Sequence, residues 1–304
     1  MKKVALTGAT SMLGLAFIEQ CILNKIKVIA FVRPDSSRLF RLPNSDLITI
    51  VNCSLDKLSD LNSENELYDT EVFYHFGWSH TDKHGRLDCY NQLQNIQFTI
   101  DAVRLAKKIG CKKFIGAGSQ AEYGRTITRI SCTTPVNPEN AYGISKYAAG
   151  KLAEIECKKF GLEYVWVRIV SMYGINDLEH TLITDFITHC KGNRHLPLGP
   201  CNHIWDYLFE DDAGKAFYAI GKKGVNGKVY CLGSGTGRKL KEYLEEIRNL
   251  VNPLYNLHYG EIPYSDHSLS YLCADISELT QDTGWQPEIP FEEGIKKIIA
   301  SSFI

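Results

Sequence analysis

The chain has 304 residues, with 34 Lys and Arg against 35 Asp and Glu, a net charge of -1, 44% hydrophobic and 23% charged residues. That balance is the profile of an ordinary globular protein of one large domain or two unequal ones, and it excludes the basic surplus of a nucleic-acid binder. No apolar run approaches the about 20 residues that cross a bilayer, and Met1-Lys2-Lys3 leads into a strand pattern rather than a signal peptide, so a cytoplasmic protein without membrane partners is expected.

The ten cysteines are scattered without paired spacing, several of them (Cys21, Cys157, Cys231) inside helical or strand patterns, and read as reduced core thiols. No CxxC and no clustered His/Cys spacing appears, so no metal site is expected.

In chain order, Lys3 to Thr7 reads as a short buried strand. It runs into Gly8-Ala9-Thr10-Ser11-Met12-Leu13-Gly14 and then a helical stripe at Leu15, Ile18, Ile22 and Leu23. Strand, glycine turn and helix are the context of a dinucleotide fingerprint. Gly8 permits the tight turn, Gly14 permits close packing of helix on strand, and the helix start offers free N–H groups to a pyrophosphate. An ordinary strand-to-helix turn is the alternative.

The second strand, Val28 to Val32, is followed by Arg33-Pro34-Asp35-Ser36-Ser37-Arg38. An acid at the end of this strand would accept hydrogen bonds from an adenosine ribose. Arg33 stands near that place instead. With Ser36, Ser37 and Arg38 it predicts a grip on a 2′-phosphate and hence NADP(H), while Asp35 keeps NAD(H) open.

Strands follow at Leu47 to Val51 and Glu71 to Phe76. A long helix is expected from about 88 to 109, with a stripe at Leu93, Ile96, Ile100 and Val103. A strand at Lys113 to Ala117, a helix at Tyr142 to Phe160 and a strand at Tyr164 to Val170 complete the pattern. Repeated βα units imply an α/β fold, a doubly wound parallel sheet with helices on both faces. After Ser171 the elements shorten and Gly and Pro increase. Residues 1–170 are therefore expected to form the dinucleotide domain, with a return segment near 205–232, and 171–304 mainly a smaller substrate-binding lobe.

Tyr142 and Lys146 lie four residues apart at the start of an apolar helix, on one face. A free tyrosine, with a pKa of about 10, is a poor acid near neutrality. A neighbouring cation favours the phenolate and would pull that value down. The pair can then move a proton at a carbonyl or carbinol. Ser119, just after the fifth strand, adds a donor where hydride addition builds negative charge on oxygen.

These motifs together resemble the extended short-chain dehydrogenase/reductases, the NAD(P)-dependent nucleotide-sugar epimerase, dehydratase and reductase family, whose sheet is a Rossmann sheet. The family writes its loop T-G-x-x-G-x-x-G; this chain has Thr7, Gly8 and Gly14, with Ser11 at the middle glycine. The resemblance implies a Ser119-Tyr142-Lys146 triad, with Lys146 also on the nicotinamide ribose. It places Ser54-Leu55 where the family often has an Asp-hydrophobic pair near adenine, Phe76-Gly77-Trp78 where the backbone passes the cofactor, and Asn95 in the helix that follows.

In the second half, Arg168-Ile-Val-Ser-Met-Tyr-Gly174 is similar to R-x-x-N-x-Y-G with Ser171 at the usual Asn. Trp205-Asp206-Tyr-Leu-Phe-Glu-Asp-Asp212 is similar to R-D-x-x-x-V-x-D with Trp205 at the usual Arg. Arg194, His195, His203 or Arg238 would then meet a diphosphate in its place, or Trp205 would stack on a base. Substrate contacts are expected at Gln120, Ser171, His180, Trp205 and Arg238.

Family dehydratases carry Asp-Glu after the Ser/Thr, where this chain has Gln120 and Ala121. Family 3,5-epimerase-reductases carry a Cys where Ala121 stands. The resemblance thus implies ketoreduction of a nucleotide-linked 4-keto-6-deoxyhexose, closest to a CDP-abequose/paratose synthase-like branch. C4 epimerisation with tightly held NAD is the alternative, and a non-catalytic NADP-binding sensor a further one. In the family the two long helices pack into a four-helix bundle, so the resemblance implies a homodimer.

Overall fold

The computed structural model describes residues 1–61, 67–177, 181–264 and 269–301. The first half alternates strand and helix: β1 (Lys3–Thr7), α1 (Met12–Leu23), β2 (Lys27–Val32), β3 (Ile48–Asn52), β4 (Val72–His75), α2 (Cys89–Lys108), β5 (Lys113–Ser119), α3 (Ala141–Phe160) and β6 (Glu163–Ile169). The second half adds β7 (Met172–Tyr173), α4 (Leu182–Lys191), β8 (Ile204–Trp205), β9 (Leu208–Phe209), α5 (Glu210–Lys223), β10 (Val229–Leu232), β11 (Arg238–Lys239), α6 (Leu240–Val251), α7 (Ser277–Thr283) and α8 (Phe291–Ala300).

Seven strands form one parallel sheet in the order β10-β6-β5-β4-β1-β2-β3. The order reverses between β1 and β4, the switch point at which doubly wound sheets open a crevice beyond their carboxyl ends. Alternation along each strand feeds two cores. Val4, Leu6, Val28 and Ala30 pack with Phe17 of α1 and Phe217 of α5. Ala5, Ile29, Phe31, Phe73 and Phe114 pack with Val103 of α2 and Ala149 of α3. Because both faces are covered, these strands are apolar without interruption, which is why they are readable as strands.

A third core joins Ile183, Phe186 and Ile187 of α4, Leu244 and Ile247 of α6, and Ile295 and Ile298 of α8. The second half is more regular than its Gly and Pro content predicts. The apolar spacing Leu240, Tyr243, Leu244, Ile247 is the inward face of α6, and that spacing sets the helix. The chain between β9 and β10 returns to the sheet: α5 shares a core with α1, and β10 pairs with β6 at the sheet edge.

β5 also runs two residues past the expected end, to Ser119. All ten cysteines are free thiols. Among the described residues no helix is long and apolar enough to cross a membrane.

Candidate dinucleotide and Ser-Tyr-Lys site

The glycine loop sits at the switch point. Gly8 has φ +73°, and a Cβ on it would lie 2.7 Å from Gly77 N. A Cβ on Gly14 would lie 2.3 Å from Gly8 O. Both positions therefore require glycine, one for left-handed backbone and one for close approach. Ser11 is the N-cap of α1: its hydroxyl donates to Gly8 O at 2.7 Å and accepts from Gly14 N at 3.1 Å. The serine that replaces the family's middle glycine thus caps the helix. Thr10, Ser11 and Met12 are half-exposed, and the amides of Met12 and Leu13 lie at the helix start, where N–H groups lack intrahelical acceptors and attract a pyrophosphate.

At the end of β2, Arg33 and Arg38 are exposed and Ser36 is half-buried. Arg33 lies 3.8 Å from the Asp35 carboxylate. Ser36 Oγ accepts from Arg38 N at 3.4 Å, and Ser37 is exposed beside it. Partial burial, then Arg41, then Arg33 lower the Arg38 pKa. The like charges of Arg41 and Arg33 thus act on Arg38, a field that an anion would relieve.

Ser54 bonds the Asp56 carboxylate, and Leu55 packs on the Gly77 backbone. Phe76 is buried in the α1/α5 core. Asn95 holds the loop after β4 through both amide atoms: it accepts from Ser79 N at 2.7 Å and donates to Ser79 O at 3.1 Å. Gln92 does the same one turn earlier, accepting from Trp78 Nε1 at 2.9 Å and donating to His80 O and Gly85 O. These two buried amides fix Trp78 and the segment that carries Arg86.

Ser119, Tyr142 and Lys146 come together around this segment. Lys146 Nζ lies 3.8 Å from the centre of the Trp78 ring and donates to Ala117 O at 2.6 Å. It is 5.9 Å from the Tyr142 ring, while the Arg86 guanidinium is 4.9 Å from that ring. Burial pushes the Lys146 amine down to about 7, with Glu122 opposing and Arg86 assisting.

The Tyr142 pKa is raised: burial dominates, Arg86 and the Ser119 hydroxyl oppose it, and Glu122 adds to it. This corrects the expectation that Lys146 pulls the phenol down. The ammonium is anchored on Ala117 and Trp78 and is weakened by its own burial, so the opposing cation is Arg86. Nothing in the local sequence around Tyr142 points to Arg86; it arrives through the fold.

Ser119 ends β5 as the cap of the turn Gln120–Glu122. Its hydroxyl accepts from Ala121 N at 3.2 Å, and its amide donates to Glu122 Oε1 at 2.9 Å. Glu122 is fully buried and also accepts from Trp166 Nε1 at 2.9 Å and Arg168 Nε at 2.7 Å. The carboxylate that fixes Ser119 is the residue that motif reading passes over. Its signal is a carboxylate in the turn that ends an apolar strand, paired with Arg168 inside another apolar strand. Gln120 is half-buried at the same turn.

In the second lobe the two departures from the family pattern meet. Trp205 Nε1 donates to Ser171 Oγ at 3.1 Å. Arg238 pairs with Trp205 across β8 and β11, but its guanidinium is held by Glu246 at 2.7 Å and faces Glu242 at 3.8 Å and the Tyr243 ring at 4.5 Å. Its charge is thus matched within the lobe by these two carboxylates. His203 lies edge-on to Trp205 at 5.4 Å. Asp206, fully buried, accepts from Ser234 N, Ser234 Oγ, Gly235 N and Ala274 N, which shows why the Trp-Asp pair is split into a facing ring and a structural carboxylate. His180 lies outside the described residues.

Fold and site together define a class: a doubly wound dinucleotide-binding sheet with Ser, Tyr and Lys gathered at its carboxyl edge, as in NAD(P)-dependent oxidoreductases. Residues 4–233 match the NAD dependent epimerase/dehydratase family, and the chain belongs to it as an NAD(P)-dependent enzyme.

The chain is 24% identical to CDP-abequose synthase of Salmonella muenchen, across 98% of this chain and 97% of that protein. It is 23% identical to dTDP-4-dehydro-6-deoxyglucose reductase of Escherichia coli, across 98% and 96%. Against dTDP-D-glucose 4,6-dehydratase of Mus musculus the match is 25% identical and spans 67% of this chain but 59% of that one. In structure the chain is similar to UDP-glucose 4-epimerase of Thermotoga maritima, with a TM-score of 0.86, 19% identity and coverage of 98% and 97%.

Proposed function

We propose that this protein uses NADPH to reduce the 4-keto group of a nucleotide-linked 6-deoxyhexose. The observation that carries the reading is the turn after β5. Gln120 and Ala121 offer no carboxylate for acid–base work at neighbouring sugar carbons. The nearest one, Glu122, is buried and bonded to Ser119 N, Trp166 and Arg168. Ketoreduction needs a proton donor and an oxyanion donor, and Tyr142 and Ser119 suffice.

When bound, the reduced nicotinamide supplies hydride. Tyr142 gives its phenolic proton to the carbonyl oxygen; burial keeps the phenol protonated but weakens it as an acid, and Arg86 and the Ser119 hydroxyl oppose that rise. Ser119 Oγ donates to the same oxygen as charge develops. Arg86 favours the resulting phenolate, and Lys146 holds the ribose side of the site. Arg33, Ser36, Ser37 and Arg38 hold the 2′-phosphate, and the amides at the start of α1 hold the pyrophosphate. Trp205 stacks on the substrate base in place of an arginine.

The protein acts as a homodimer in the cytoplasm. Tyr90 and Leu93 of α2 and Ile144, Leu152 and Ile155 of α3 leave apolar surface exposed on two adjacent helices, the surface a four-helix interface would cover.

Stoichiometry tests the reaction. With a panel of nucleotide-linked 4-keto sugars, one NADPH is consumed per product. Interconversion of two nucleotide sugars without net change in nicotinamide absorbance would replace reduction by C4 epimerisation.

A further inference from the structure

At one edge of the second lobe, the segments around residues 194–198 and 255–262 run side by side. Leu198 N donates to His258 O at 3.2 Å, Glu261 N donates to Leu198 O at 3.0 Å, and Pro197 and His258 form a parallel bridge. Tyr255 OH donates to Arg194 O at 2.7 Å. This backbone frame brings together three side chains that are far apart in the sequence. His195 Nε2 lies 2.9 Å from Glu261 Oε2, His258 Nδ1 lies 3.6 Å from Glu261 Oε1, and the two imidazole centres are 4.5 Å apart at 70°.

We propose that His195, His258 and Glu261 form a binding site for a divalent transition-metal ion of the zinc class, separate from the Ser119, Tyr142 and Lys146 site. One donor atom from each residue lies within 4.8 Å of the others. Ligands of a tetrahedral zinc ion lie about 3.4 Å from one another, so side-chain rotation closes the remaining gap. Two imidazoles and one carboxylate suit zinc, nickel or copper and disfavour magnesium and calcium, which need more oxygen ligands. A fourth position is left for water.

An ion pair accounts for the cluster less well. One carboxylate faces two imidazoles and can neutralise only one of them when protonated, whereas a dication uses both rings in their neutral form. Sequence spacing hides the site because only His258-x-x-Glu261 is local; His195 arrives through the bridge at Pro197.

The role is structural. The same two segments continue toward Trp205: Asn202 N donates to the Tyr264 hydroxyl at 2.9 Å, and His203 lies between Tyr264 and Trp205 at ring distances of 5.7 and 5.4 Å. A metal clip at residues 195 and 258–261 stiffens the frame on which Trp205 stands.

The test titrates the chelator-treated full chain with ZnCl2 by calorimetry and with CoCl2 by absorption. One equivalent of zinc is expected with a Kd of about 10 μM or lower, with tetrahedral cobalt bands and a melting point that rises with zinc concentration. Each of His195→Ala, His258→Ala and Glu261→Gln weakens binding at least about tenfold, in line with loss of one ligand. The His195→Ala/His258→Ala variant abolishes binding while keeping its metal-free melting point. Replacing the more exposed thiols, Cys89→Ser/Cys132→Ser, leaves it unchanged. Absence of saturable zinc uptake up to about 1 mM, or uptake undiminished in the double histidine variant, overturns the proposal.

Discussion

Glu122 and Glu210 are both buried carboxylates that hold a loop near the carboxyl edge of the sheet, and they do so with different partners. Glu122 accepts from Ser119 N, from Trp166 Nε1 and, as an ion pair, from Arg168. Glu210, at the first position of α5, accepts from Ile175 N at 2.8 Å, Asn176 N at 3.2 Å and Asn176 Nδ2 at 3.2 Å. It has no cation among these donors, and burial pushes its pKa up to about 8, with two backbone donors of the 175–176 loop opposing. A buried charge that is paired and fully bonded keeps one geometry. A buried carboxyl held by neutral donors keeps its geometry at the cost of a stability that depends on pH. The proposed reactive turn uses the first arrangement and the start of α5 the second.

The sharpest way to separate scaffold from chemistry is to remove the proton donor alone. Tyr142→Phe keeps the ring against Trp78 and under Arg86 but has no proton to give. Turnover of the 4-keto substrate is expected to fall by about two to four orders of magnitude, with NADPH affinity and melting point unchanged. Residual turnover within tenfold of wild type would remove Tyr142 from the chemistry.

The next effect breaks the scaffold. Glu122→Gln leaves the Arg168 guanidinium buried without its counter-charge, next to Tyr123 at 4.6 Å. Breaking a buried pair in this way costs about 3–5 kcal/mol, while the amide oxygen still accepts from Ser119 N, so stability falls more than activity. A urea midpoint close to wild type would show that Glu122 is a bystander.

These two positions show how much was legible. The strands of the sheet, the glycine loop and the Ser, Tyr and Lys positions follow from local motifs, because each depends on neighbours within a turn or a strand. Glu122, Arg86 and the Trp205–Ser171 bond depend on residues that meet only through the fold, so local reading gives their identity and not their partners. The sign of the Tyr142 shift went wrong for the same reason. Spacing places Lys146 on the same helical face, but burial and the Trp78 ring decide where its ammonium rests.

A smaller effect tests whether Ser171 and Trp205 depart from the family pattern as a unit. Trp205→Arg alone strands Ser171 Oγ and breaks the ring contacts to His203 and Tyr207. Ser171→Asn/Trp205→Arg restores the residue types the family pattern carries at both places. A double-mutant cycle is expected to give a favourable coupling of about 0.5–3 kcal/mol, as residues in direct contact do. Additive single effects would mean that the two positions vary independently.

The last predicted effect is a slope. Glu210 has an ordinary pKa of 4.5 and a folded value of about 8. Between those values the folded chain holds a proton that the unfolded chain has released. Its contribution to stability is therefore fully present below about pH 4.5 and is lost as pH rises through about 8. Lys146 works in the opposite sense in the metal- and ligand-free protein. Its folded value near 7 against an ordinary 10.5 makes stability rise with pH above about 7, so the Glu210 slope is read between about pH 5 and 7. Glu210→Gln removes the titrating proton and keeps an oxygen for Ile175 N. In urea titrations across that window, wild type is expected to lose stability with rising pH by up to about 1.4 kcal/mol per unit more than the variant. Parallel curves for the two proteins would mean that the neutral donors of the 175–176 loop stabilise the Glu210 carboxylate as well as Arg168 stabilises Glu122.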